Sequence, residues 1–145
     1  FVVAHLHYVL FGGSLMGIFS GFYYWFPKMS GRMYNEFWGK VHFWLVFAGM
    51  NLVFMPMHLM GMYGMPRRIY TYQPQYERLN QISTAGAGIL FVAMLIFLIN
   101  VLGSLWRGKR APADPWDHAE YNKTLEWTVT SPPPAENFER IPVIR

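Results

Sequence analysis

The sequence predicts an all-α membrane protein, with three transmembrane helices followed by an extended extramembrane C-terminal tail. Three observations carry this reading. Only 14% of the 145 residues are charged, where a soluble domain carries roughly a quarter. Residues 1–27, 41–66 and 79–106 contain no Asp, Glu, Lys or Arg, and each window is longer than the about 20 residues that cross a bilayer as a helix. Beyond Arg110 the composition changes, and six of the ten prolines fall there. The chain therefore divides into a transmembrane part, 1–110, and a Pro-rich tail, 111–145.

The first helix is expected over Phe1 to Phe26. It is too long for a signal peptide, has no basic residues before it and ends without a small-residue cleavage site. Phe1 is not an initiator methionine, so the chain reads as the continuation of a longer polypeptide or as a separately encoded piece of one. Gly13, Gly17 and Gly21 recur every four residues, which predicts a face that a neighbouring helix can approach closely. The second helix, Phe37 to Gly64, carries Asn51 at mid-span, where it should bond a partner helix, and is expected to stop at Pro66. The third runs from Gln81 to Trp106. Proline denies the tail both helix and ladder bonds, so it should be extended and cover the ends of the bundle.

Three spans place the 28–40 loop and the tail on one side, and the chain start and the 67–78 loop on the other. Lys28, Arg32, Lys40, Arg107, Lys109 and Arg110 lie on the first side, against Arg67, Arg68 and Arg78 on the second. The excess makes the first side cytoplasmic, or the matrix in a mitochondrion. The net charge of +4 thus reads as topology and implies no nucleic-acid partner. With no cysteine there is no thiolate site, and the ten methionines read as membrane packing.

"VAHLHYVLFGG", residues 3–13, sets two histidines one residue apart in an apolar run. Positions i and i+2 of a helix stand about 200° apart. His5 and His7 therefore face opposite sides and cannot chelate one metal. Each can ligate a different centre, and in a membrane interior the centre that fits best is haem, with an imidazole on the iron and apolar side chains against the ring. A hydrogen bond to a neighbouring helix or a place in a proton path is the alternative for each.

In "GMPRR", Arg67 and Arg68 fall on the outer side, at the end of the bundle nearest His5 and His7. Guanidinium forks hold carboxylates such as haem propionates well; snorkelling at the interface is the other reading. His42 and His58, sixteen residues apart on the second helix, could imitate ligands of two haems in two leaflets, but read first as packing or interfacial residues.

Together "VAHLHYVLFGG", "YWFPKMSG", "GMPRR" and the tail segments "DPW" and "TLEWTVTSPPP" resemble the C-terminal quarter or so of subunit I of haem-copper oxygen reductases, the cytochrome c oxidase family, with a tail of bacterial type. The resemblance covers essentially the whole chain. It implies that the three helices are the last three of a twelve-helix core, that His5 is the proximal ligand of the high-spin haem iron, and that His7 is one axial ligand of the low-spin haem iron. It also implies that Arg67 and Arg68 bind the propionates. Leu6 stands where many relatives have phenylalanine.

The activity implied is electron transfer to oxygen, giving water, coupled to proton translocation, by a chain inactive in isolation. The implied cofactors are two haems, with haem A the expected type, and copper B and magnesium held upstream of Phe1. The implied partners are the remainder of subunit I, subunit II with its dicopper centre, subunit III, membrane lipid, and cytochrome c or quinol as donor. The implied location is the bacterial inner membrane. A quinol oxidase of the same superfamily, a dihaem b-type electron-transfer protein and a proton-coupled transporter are the alternatives.

Overall fold

The computed structural model describes residues 1–117 and 124–138. Its three long helices are α1 (Val2–Ser30), α2 (Glu36–Met62) and α3 (Glu77–Arg107), each long and apolar enough to cross a membrane. No strand is formed among the described residues; Arg32 and Arg110 make an isolated antiparallel bridge.

The helix ends differ from the sequence expectation by about one turn. α1 continues past Phe26 to Ser30 and stops at Gly31, whose φ of +67° suits a residue without a Cβ. α2 starts behind Asn35, whose side-chain oxygen accepts a hydrogen bond from the Trp38 amide at 3.2 Å. It ends at Met62, two residues before Gly64 at φ +89°, so a left-handed glycine rather than Pro66 turns the chain. α3 begins at Glu77, after a 3₁₀ turn over Pro74–Tyr76.

α1 is not uniform. Residues Tyr8–Leu15 form a π-helical segment directly after His7, with the Met16 amide bonded back to Phe11 O. Gly13 lies inside the π segment, and Gly17 and Gly21 in the regular α-helix beyond it. A Cβ at Gly13 or Gly17 would meet nothing within 4 Å in this chain, and one at Gly21 would meet only the Trp25 side chain.

Within this chain, close approach occurs between Gly61 of α2 and Phe1 at the start of α1, and between α2 and α3. A Cβ on Gly86 would stand 2.7 Å from Val53 N, and one on Gly49 would stand 2.9 Å from Leu90 Cγ. Ser83, on the same face, donates to Val53 O at 3.0 Å. Met50, Val53 and Phe54 form the buried core beside this seam.

At the Lys28 end, Asn100 clasps the α1–α2 loop, accepting from Asn35 N and donating to Asn35 O, both at 3.1 Å. The chain leaving α3 returns along the same loop: Met33 N donates to Lys109 O at 2.8 Å, Ala111 N to Gly31 O at 2.9 Å, and Arg32 Nη1 to Gly108 O at 2.9 Å. The tail is thus docked on the helices rather than freely extended. It forms a 3₁₀ turn over Leu125–Thr128 that buries Trp127, while Trp116 Nε1 donates to Tyr24 O at 3.0 Å. The tail residues 118–123 and 139–145 lie outside the described residues.

Candidate haem-binding site

His5 and His7 sit in the α-helical opening of α1, Val2–His7, immediately before the π segment. Both are exposed within this chain. His7 Nδ1 lies 2.7 Å from Val3 O. A carbonyl only accepts, so Nδ1 carries the hydrogen and Nε2 keeps the lone pair, the form in which an imidazole binds a metal. The His7 ring rests on Phe54 of α2, with centroids 4.7 Å apart. The His5 ring instead stacks on Phe1 at 6.4 Å. Val2, Leu6, Val9 and Leu10, around the two histidines, are exposed apolar residues, a surface suited to a large apolar ring.

The structure brings Arg67 and Arg68 to this same end. They line a cleft of about 510 Å³ together with Val2, Val3 and Ala4 of α1, and Met57 and Met60 of α2. Both arginines are exposed, and no ion pair to either is formed among the described residues. Arg68 adopts a φ of 60°, unusual for a residue with a Cβ. Two unneutralised guanidinium groups beside the histidine-bearing turn fit a ligand with carboxylates.

The support behind His7 was only partly legible in the sequence. Tyr8 donates to Asn51 Oδ1 at 2.7 Å, and Asn51 Nδ2 donates to Phe47 O at 2.8 Å. Asn51 was expected to bond a partner helix; Tyr8, polar in an apolar run directly after His7, was the overlooked signal. His58 Nδ1 donates to Phe54 O at 2.9 Å, and its ring meets Phe1 and Tyr8 edge-on at 5.3 and 5.2 Å. It packs the start of α1 against α2.

His42 is only 1% exposed. Tyr23 OH lies 3.1 Å from its Nδ1, and the Phe19 and Phe97 rings enclose it at 4.8 and 5.1 Å. This packing leaves no open face for a haem. Among the described residues no group of three or more His, Cys, Asp or Glu is placed to hold a metal ion.

The fold and this end of it define a membrane protein that presents two imidazoles with different ring partners and a pair of guanidinium groups without an ion pair among the described residues. Residues 1–89 match the family described as Cytochrome C and Quinol oxidase polypeptide I, and the chain belongs to that family. It is similar to cytochrome c oxidase subunit 1 of Synechocystis sp., 54% identical over 144 residues, 99% of this chain and 25% of the relative. The corresponding protein of Thermostichus vulcanus is 50% identical over 144 residues, again 99% and 25%. That of Bacillus sp. (strain PS3) is 46% identical over 147 residues, 100% of this chain and 23% of the relative. The chain thus spans about a quarter of the length of the curated relatives it matches.

Proposed function

We propose that this chain is the part of a terminal oxidase catalytic subunit that provides one axial ligand to each of two haem irons: His5 to the high-spin haem and His7 to the low-spin haem. The observation carrying the reading is the hydrogen bond from His7 Nδ1 to Val3 O, on a turn whose other histidine stacks on Phe1 instead. That bond holds the ring's rotation and keeps the proton off Nε2, so the lone pair is ready. His5 offers its ring to the opposite side, so one rigid turn spaces two centres. Arg67 and Arg68 would hold the carboxylates of a haem at the membrane boundary. The haems, when bound, supply one-electron iron chemistry and the oxygen-binding position.

On this reading oxygen is reduced to water, coupled to proton translocation, in the bacterial inner membrane with the tail cytoplasmic. Haem A is the expected type. Copper B and magnesium belong to other parts of subunit I, and a dicopper centre to subunit II, with subunit III completing the complex. The names of the relatives favour cytochrome c as donor; the family description also includes quinol oxidases.

The test is optical spectroscopy, pyridine haemochrome and copper analysis of the purified complex containing this chain. Two haems, of which one is six-coordinate and low-spin and the other binds carbon monoxide, are expected together with copper. A complex lacking the carbon monoxide-binding haem would sink the oxidase reading. Turnover with reduced cytochrome c against turnover with quinol identifies the donor.

A further inference from the structure

Lys28, in the last turn of α1, is only 5% exposed. A buried ammonium has three hydrogens to place and is costly if they find no acceptors. Lys28 Nζ donates to Ala113 O and Val129 O, both at 2.8 Å, and to Thr130 O at 3.4 Å. It also lies 5.2 Å from the centre of the Trp127 ring, within cation–π range. The Asp114 and Glu126 carboxylates add an attractive field. Every one of these groups belongs to the tail, and they come from two pieces of it.

We infer that Lys28 is the attachment point of a strap: residues 111–117 and 124–134 dock as one unit on the end of α1, and their docking depends on the Lys28 positive charge. Without an ammonium between them, the three carbonyl oxygens point at one another in a site shielded from water, an arrangement that repels and loses its hydrogen bonds. Neighbouring contacts fit the same strap. Trp116 stacks on Tyr24 with planes 8° apart, and Trp127 meets the same ring edge-on at 5.1 Å. Gly31 leaves room for Pro132, whose Cδ would be 2.6 Å from a Cβ there. Lys28 is therefore an internal ligand of the chain's own backbone rather than a free charge at the membrane surface.

The test is hydrogen–deuterium exchange of the purified complex carrying Lys28→Met. Amides in 111–117 and 124–134 should exchange about tenfold faster or more, while those of α2 are unchanged, because the strap opens locally. Unchanged exchange in both tail pieces overturns the inference.

Should Lys28→Met not assemble, amine acylation decides, comparing the native complex with one whose chain stops after Arg110. Native Lys28 should resist the reagent while Lys40, with a side chain 70% exposed, reacts, and truncation should make Lys28 reactive. A Lys28 that reacts like Lys40 in the native complex, or stays inert after truncation, overturns it equally.

Discussion

Tyr8 and Asn51, 43 positions apart in the chain, are joined by a hydrogen bond of 2.7 Å between α1 and α2. The bond falls one residue after His7 and at the start of the π segment, so it ties the histidine-bearing turn to the helix that carries Phe54 and His58. A double-mutant cycle with Tyr8→Phe and Asn51→Leu should reveal a coupling of about 0.6 kcal/mol, typical of such bonds within membranes. Additive losses in thermal stability would mean that the two side chains do not act together.

Because His5 and His7 face different sides, their substitutions should leave different lesions. His5→Ala should abolish oxygen turnover and carbon monoxide binding while a six-coordinate low-spin haem persists. His7→Ala should remove the low-spin signal and stop electron delivery. Optical and magnetic spectra of the assembled variants provide the check; if both variants assemble and retain both haem signals, neither histidine is a ligand.

Replacing Arg67 or Arg68 by leucine should leave iron ligation intact and move the low-spin haem potential downward. The sign follows from charge: a nearby cation favours the form with one electron more, so its loss favours the oxidised form. Redox titration in the two variants measures the shift. An unchanged potential in both would reduce the arginines to interface residues.

Gly86→Ala should cost about 1–3 kcal/mol through overpacking, because the new methyl group would press on the Val53 backbone, which cannot rotate away. The expected outcome is a lower melting temperature and a lower yield of assembled complex. Gly49→Ala meets the flexible Leu90 side chain first and should be milder. Equal, negligible effects would place α2 and α3 farther apart than described.

The three spans were legible in the sequence because they depend on a local quantity: uncharged length decides whether a segment can cross lipid. The nearness of Arg67 and Arg68 to the histidine turn followed from counting spans, and the cleft shared with Val2–Ala4 places them there.

Tertiary structure alone decided which small residues matter. The glycine stripe of α1 meets no other helix of this chain, while Gly49 and Gly86 stand at a close contact set by how α2 and α3 cross. It also decided what Lys28 does. A lone lysine at the end of a span reads as a topology signal, and nothing local distinguishes it from Lys40. Only when Ala113, Val129 and Thr130 fold back from 85 or more residues away do their carbonyls converge on one ammonium. The number of spans is a property of short segments in a solvent, but a site built from distant backbone exists only once the chain has closed on itself.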